Sequence, residues 1–367
     1  MTSKERVQRS IRREPVDRPP IFLWYHPDTQ TMLARELDID PESVARVMGN
    51  DIDMTWVNNN YAMEGIVHEH EGERHTDRWG ITWERQGPFN QIVHYPLKDA
   101  GAAELEAYRF PYDHVDSLVR LLDPIVAGDP TVFRGCDVSP CAFELHNRLR
   151  GMEQSMLDLA TNDGPSRSLL SRCAEFAATL AGRALETYEL EMLWTGDDVG
   201  SQNSMLLAPR MWRELVRPEL QKVVDVGRSA GVFVAYHSCG AVTPILSDLI
   251  DMGIDAVNPI QPQARGMDPA MLKREYGSEL VFIGGVDTQD LLPNADAATV
   301  RRETERLIEV LTADGGGYVV GASHTVPPET PLSNVFALLA AAGVSEEQIR
   351  DRAADHRAAG YSDADGR

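Results

Sequence analysis

The chain has 367 residues and a net charge of −22, with 43% hydrophobic and 25% charged residues. This is the composition of a globular protein with a sizeable apolar core. So acidic a surface repels the phosphates of nucleic acids and anionic membranes, and neither is expected as a partner. The chain also shows no apolar signal segment, no stretch near 18 apolar residues and only four scattered cysteines, which together predict a cytoplasmic protein.

The first half of the chain is the less regular half. Segments 20–25 and 132–137 have the apolar composition of strands. Region 50–110 contains turns and hairpin-like pieces such as TDRWGITWER, and we interpret it as an N-terminal insertion.

The second half alternates short apolar runs with polar loops and helical patterns. A helix is predicted to begin near Pro209, a second near Pro218, and a third to end at Gly253. The predicted strands are 190–195, 232–236, 254–257, 280–283 and 318–320. This order indicates parallel βα units, in either a doubly wound sheet or a barrel.

The loops decide between these two α/β folds. No dinucleotide-binding glycine motif and no P-loop opens any of the predicted helices, which favours a single (β/α)8 TIM-type barrel. We assign residues 1–352 to this one domain. Residues 353–367 lack an apolar stripe and are predicted to form a flexible tail.

Unusual polar residues follow the predicted strands. In a barrel these positions converge on one mouth, where active sites lie. The residues are Asp197, Asp198, His237, Cys239, Asn258, Gln261, Asp287, Ser323 and His324. Trp24, Tyr25 and His26 end the first predicted strand and are expected to line the same mouth as substrate-binding residues.

The sharpest motif is the His237-Ser238-Cys239 triplet. Residues two apart in an extended segment point to the same side, so an imidazole and a thiolate can reach one metal ion. Zinc takes such ligands, and a catalytic zinc site uses three protein ligands. His324 is our candidate for the third. The alternative is a packed cysteine and a hydrogen-bonded histidine without metal.

The other candidates each have two interpretations. One of Asp197 and Asp198 should face the mouth, to orient substrate, carry a proton or bind zinc, or else to neutralise a helix terminus. Asp287 follows two glycines and either contacts substrate or caps a helix. Asn258 and Gln261 are uncharged and suit substrate orientation.

Residues 236–277 (YHSCGAVTPILSDLIDMGIDAVNPIQPQARGMDPAMLKREYG) resemble the uroporphyrinogen decarboxylase-like superfamily, as do LVFIGGVDTQDLLP and GGGYVVGASHTVPPETP further on. The resemblance implies a distorted (β/α)8 barrel and one of two activities. One is metal-free decarboxylation of uroporphyrinogen III. The other is corrinoid-linked methyl transfer, in which an H-x-C pair and a later ligand hold zinc.

Two departures from the superfamily bear on the activity. The arginine-rich R-Q-A-G-R element of the decarboxylases is replaced here by IFLWYHPDTQ, although a substrate with many carboxylates needs cationic partners. The later zinc ligand of thiol methyltransferases is a cysteine, and here the neighbourhood reads GASHTV. Zinc held by two histidines and one thiolate should be the stronger Lewis acid, suited to a methyl ether or amine donor.

The sequence therefore predicts a zinc-dependent methyltransferase that moves a methyl group between a small-molecule donor or thiol and a corrinoid carried by a partner protein. Two alternatives stay open, a metal-free decarboxylase of an acidic substrate and a non-catalytic binding protein on the same barrel. A homodimer is the default expectation for the assembly.

Overall fold

The computed structural model describes residues 1–58, 68, 70–87 and 89–364. Its main feature is a curled parallel sheet of seven strands. In spatial order its strands, numbered along the chain, are β1 (Ile52–Trp56), β5 (Phe133–Asp137), β6 (Met192–Gly196), β7 (Phe233–His237), β8 (Ala256–Ile260), β9 (Val281–Gly284) and β10 (Tyr318–Val319). A separate antiparallel sheet contains β2 (Arg74–Thr76), β3 (Thr82–Gln86) and β4 (Phe89–His94).

The segment before β1 joins the two edges of the parallel sheet. On one side, the backbone N–H of Phe22 donates to the carbonyl of Val320 at 2.9 Å. On the other, the N–H of Asp51 donates to the carbonyl of Ile21 at 2.8 Å. The segment thus lies where the eighth strand of a barrel belongs. The α/β class and the curled parallel sheet that we predicted are confirmed.

Helices cover the outside of this sheet. The α-helices are Ser3–Ile11, Pro27–Leu37, Val44–Met48, Ala102–Ala107, Val115–Val119, Asp123–Ala127, Phe143–Arg150, Met152–Thr161, Gly164–Thr187, Pro209–Met211, Arg217–Ala230, Leu246–Met252, Pro269–Tyr276, Leu291–Asn294, Ala297–Leu311, Leu332–Ala341 and Glu346–Ala364. Pro218 lies in a helical first turn and Gly253 ends a helix with φ of 94°, as predicted. None of the helices in the described ranges has both the length and the apolar character to cross a membrane.

Side chains alternate between two apolar cores. The inner core fills the barrel, and its buried members are Val7, Phe22, Ile52, Phe133, Met192, Trp194, Ala235, Ala256, Val281, Ile283 and Val319. The larger outer core lies between the strands and the helices. Because successive strand residues face opposite ways, every second residue of a strand points into the barrel. This parity decides which strand-end residues reach the mouth.

The structure also describes the hairpin of the first half and the C-terminal helix. The hairpin around TDRWGITWER exists as β2 and β3, although its description as an insertion remains a prediction. The last helix runs to Ala364, where we predicted a flexible tail from 353. One side of this helix is held by the barrel, because Ala353 is buried and the ring of His356 pairs with Asp40 at 2.7 Å. The assignment of residues 1–352 as the domain stays a prediction.

Candidate metal centre at the barrel mouth

The last inward-facing residues of the strands form the floor of the mouth. On β7, Phe233 and Ala235 belong to the inner core, so His237 points into the barrel above them. On β8, Ala256 fixes the same parity for Asn258. The indole of Trp24 lies beneath, with its ring centroid 5.8 Å from that of His237.

Gly196 makes room for His237. It is the inward-facing end of β6 and pairs with His237 across the β6–β7 ladder. A Cβ at this position would lie 2.6 Å from the carbonyl oxygen of His237 and 2.7 Å from its Cβ. Contacts that short do not occur between real atoms, so only glycine permits this approach.

Three groups with ligand atoms meet at this point. Asp198, His237 and Cys239 each offer one atom, and these atoms lie within 4.8 Å of one another. His237 Nε2 lies 3.7 Å from Cys239 Sγ and 3.6 Å from Asp198 Oδ1. The backbone N–H of Cys239 donates to Asp198 Oδ1 at 2.8 Å, which holds the carboxylate over the β7 loop.

Asn258 sets the orientation of the imidazole. His237 Nδ1 and Asn258 Oδ1 are 2.7 Å apart, while Asn258 Nδ2 donates to the carbonyl of Ile283 at 3.4 Å. The amide therefore presents its oxygen to the ring, and Nδ1 carries the proton. Nε2 then keeps its lone pair facing Asp198 and Cys239, the arrangement that metal-binding histidines need.

The electrostatics of Cys239 favour a cation here. Burial, followed by the neighbouring Asp198 charge, raises the pKa of the Cys239 thiol above its ordinary range. A bound cation would lower this pKa and so favour the thiolate. An imidazole nitrogen, a thiolate and a carboxylate are also a donor set that zinc accepts. The three residues fit a zinc ion.

His324, our candidate for the third ligand, lies next to this cluster. Its ring centroid is 6.4 Å from that of His237, and its pKa is lowered by burial and then by the His237 charge. The residue as a whole is nevertheless exposed to solvent. The described metal-ligating cluster contains Asp198 and not His324. The identity of the third ligand remains a prediction.

The other strand-end candidates use their polar atoms within the protein. Asp197 is fully buried, and its carboxylate accepts hydrogen bonds from the backbone N–H groups of Ala142 (3.1 Å) and Glu144 (2.9 Å). It therefore neutralises the start of helix Phe143–Arg150. Of the two adjacent aspartates, Asp198 is the one that faces the mouth.

Asp287 and Gln261 organise loops. Asp287 accepts three backbone hydrogen bonds, from residues 289–291, each of 3.0 Å, and so shapes the turn before helix Leu291–Asn294. Its contact with substrate stays a prediction. Gln261 accepts from the N–H of Gly240 at 2.7 Å and donates to the carbonyl of Ser323 at 3.3 Å. Gln261 thus ties the loop of Cys239 to the loop of His324.

Trp24, Tyr25 and His26, at the end of the first predicted strand, point in different directions. Trp24 points inward, as described. Tyr25 has the opposite parity and packs on the outer core. His26 caps helix Pro27–Leu37, with its Nδ1 accepting from the N–H of Asp28 at 3.2 Å, and its ring lies against Phe89. Only Trp24 approaches the metal-ligating cluster by the described contacts.

One mouth residue escaped the sequence analysis. Asp137 ends β5 with the inward parity of Phe133, and it is 4% exposed. The rule that polar residues at strand ends face the mouth identifies it as well. The predicted strand over 132–137 ends at this residue, so the same rule applies to Asp137 as to the other strand ends.

The fold and the site together define a TIM-barrel-like α/β protein with a candidate metal centre at the carboxyl ends of its parallel strands. The chain belongs to the uroporphyrinogen decarboxylase (URO-D) family, whose sequence model matches residues 141–343, more than half of the chain. Membership of this superfamily, predicted from the motifs, is confirmed.

Relatives of both kinds are found within the family. The Methylcobamide:CoM methyltransferase MtaA of Methanosarcina barkeri is 26% identical over 165 residues, 45% of this chain and 45% of its own length. A uroporphyrinogen decarboxylase of Thermus thermophilus is 29% identical over 134 residues, 35% of each chain. The match thus spans less than half the length of these relatives, and it extends further along the methyltransferase.

A solved structure shares the fold over nearly the whole chain. A methyltransferase from Methanosarcina mazei superimposes with a TM-score of 0.64 at 19% identity, covering 94% of this chain and 98% of its own. At that identity the likeness establishes the fold alone.

Proposed function

We propose that this protein is a zinc-dependent methyltransferase that transfers a methyl group between a small-molecule donor or thiol and a corrinoid bound to a partner protein. The observation that carries the proposal is the cluster of Asp198, His237 and Cys239 within 4.8 Å at the barrel mouth. The methyltransferase relative and the H-x-C motif support the same assignment.

The roles of the residues follow from their positions. His237 and Cys239 would hold the zinc ion together with Asp198 or His324, and Asn258 would keep the imidazole in the correct tautomer. Zinc, when bound, would activate a substrate thiol or polarise the atom that bears the methyl group. Trp24 supplies an apolar wall, which excludes water from the floor of the mouth.

Decarboxylation is the second candidate, favoured by the family model and by the Thermus relative. The charges near the cluster argue against a polycarboxylate substrate. Asp137 and Asp198 are acidic, and Arg148, whose guanidinium lies over the Trp56 ring, is paired with Glu144 at 2.7 Å. Multiple carboxylates need cationic partners that the described mouth residues do not supply.

Metal content is the first experiment. We expect about one zinc per chain in protein purified without chelator, and its loss in Cys239→Ala, by elemental analysis. Cys173→Ala is the matched control, because Cys173 is buried in the outer core. Wild-type protein that neither contains zinc nor binds added zinc would rule out the metal centre, and decarboxylation of acidic substrates would then be assayed.

Methyl transfer is the second experiment. Free methylcobalamin and small thiols are mixed with the protein, and loss of the methylcobalamin absorption is followed. We expect a rate above background that disappears in Cys239→Ala. Background rates for wild type with all thiols, and with cob(I)alamin and methyl ether or methylamine donors, would reject the proposed activity.

A further inference from the structure

Asp137 lies in the same layer of the barrel as the candidate metal centre. It ends β5 facing inward, and His237 ends β7 facing inward, two strands away. On β6, the strand between them, Asp137 pairs with the inward-facing Trp194, whose indole centroid lies 6.5 Å from that of the His237 ring. The next inward-facing residue of β6 is Gly196, so no side chain of this strand stands above the indole between the carboxyl group and the imidazole.

One oxygen of Asp137 is fixed and the other is not. Oδ1 accepts a hydrogen bond from the backbone N–H of Ser139 at 2.8 Å and another from the Ser139 hydroxyl. No described residue donates to Oδ2. Asp197 is the instructive contrast, because backbone N–H groups bind both of its oxygens.

The surroundings keep Asp137 ready to exchange a proton near neutral pH. Burial raises its pKa to about 7, partly offset by the two Ser139 hydrogen bonds. The charge of Glu144 on the following helix disfavours the carboxylate, whereas His237 on β7 favours it only when its ring is protonated.

We propose that Asp137 is a catalytic base that accepts the proton of a small thiol substrate in the barrel mouth. This inference rests on the proposed methyltransferase function and adds a role for Asp137, to which that proposal assigns none. The S–H bond breaks, its electron pair stays on sulfur, and the proton passes to Oδ2 of Asp137. The thiolate then attacks the methyl carbon of the methylated corrinoid, and the carbon–cobalt electron pair stays on cobalt. The products are a methyl thioether and the reduced corrinoid, and Asp137 returns its proton to water.

The test is Asp137→Asn, which keeps the size of the side chain and an oxygen for Ser139. Methyl transfer from free methylcobalamin is measured with two thiols at pH 7. 2-Mercaptoethanol is protonated and needs a base, whereas 4-nitrothiophenol is already largely a thiolate. We expect kcat/KM to fall about 100-fold or more for the first and by less than about 3-fold for the second, since general base catalysis contributes on that scale.

Asp197→Asn is the matched control, because Asp197 is also a buried strand-end aspartate with a raised pKa. Any loss in this variant should be the same for both thiols. Two further readouts do not depend on methyl transfer by the variant. Zinc content should equal that of wild type in Asp137→Asn. Asp137 and Asp197 should each give a protonated-carboxyl infrared band that wild type loses between pH 5 and 9, and Asp137→Asn should lack one of these bands while Asp197→Asn lacks the other.

Ser139→Ala keeps the inference testable if Asp137→Asn folds poorly. Removing the hydroxyl donor raises the pKa of Asp137 further, so the rising limb of the pH–rate profile should move to higher pH. An active wild type whose Asp137→Asn variant loses equal activity with both thiols would overturn the inference alone. A wild type without any methyl transfer would overturn the proposed function, and this inference with it.

Discussion

The neighbouring residues Asp197 and Asp198 lie in different environments, one at a helix start and the other in the candidate metal centre. Asp197 binds backbone N–H groups at the start of a helix, and Asp198 faces His237 and Cys239. If Asp198 is the third zinc ligand, Asp198→Ala should raise the dissociation constant for zinc at least about 100-fold, because a missing ligand leaves the ion two protein donors.

His324 is the comparison for this prediction. Its ring lies further from the cluster, so His324→Ala should raise the zinc dissociation constant by less than about 10-fold. Both variants are titrated against a chromophoric chelator. A larger loss in His324→Ala than in Asp198→Ala would instead assign the third position to the histidine that the sequence first suggested.

The hydrogen bond from Asn258 to His237 carries a second prediction at this scale. Asn258→Leu leaves Nδ1 without its acceptor at 2.7 Å, so the ring loses its fixed tautomer. Loss of such a supporting contact typically costs 10–100-fold in metal affinity, and we expect a rise of this order in the zinc dissociation constant. Asn258→Asp retains an acceptor and should restore most of the affinity. Equal zinc binding in wild type and Asn258→Leu would show that the amide does not orient the ligand.

At the scale of the secondary-structure elements, the last helix provides the clearest test. Ala353 faces the barrel and is buried, whereas its neighbour Ala354 faces solvent. Ala353→Asp places an unpaired carboxylate in the contact and should lower the free energy of unfolding by about 2 to 4 kcal/mol. Ala354→Asp should change it by less than about 0.5 kcal/mol.

Urea unfolding of the two variants measures this difference. A flexible tail would tolerate both substitutions equally, so equal stabilities would support the prediction of a flexible tail over 353–367.

The elements of the second half could be predicted because their signals are local. Pro218 and Gly253 mark helix ends through their own backbone preferences, and short apolar runs between polar loops mark strands. To predict whether a strand-end residue points into the mouth, one must also know which face of that strand fills the barrel. This knowledge distinguishes Trp24, which points inward, from Tyr25, which points outward, and it identifies Asp137 as a mouth residue.

What the sequence could not provide depends on distant partners. The last helix lacks an apolar stripe, and small contacts such as Ala353 and His356 dock it against the first part of the chain. The capping role of Asp197 requires helix Phe143–Arg150, more than forty residues earlier. Neither contact leaves a periodic pattern in the sequence, so both emerge only when the barrel has closed.

At the scale of the whole molecule, the buried carboxyl groups link folding to pH. The chain carries a net charge of −22, and yet it buries Asp197 so completely that desolvation raises the pKa of this residue to about 7, against the hydrogen bonds from Glu144 and Ala142. The folded protein then holds a proton that the unfolded chain has released. Stability from this group is fully present below the ordinary aspartate pKa of about 4 and is lost as the pH rises through about 7.

Asp197→Asn removes this linkage. The free energy of unfolding of wild type, minus that of the variant, should therefore fall by about 3 kcal/mol between pH 4.5 and pH 8, as the raised pKa requires. Urea unfolding at intervals across this range gives the difference. Asp17 supplies the control of opposite sign, since its hydrogen bond with Arg6 lowers its pKa to about 2. Its stabilisation is complete above its ordinary pKa and lost only as the pH falls through about 2, so the difference for Asp17→Asn should be flat from pH 4.5 to 8. A flat difference for Asp197→Asn as well would mean that the buried carboxylate stays ionised, held by the helix it caps.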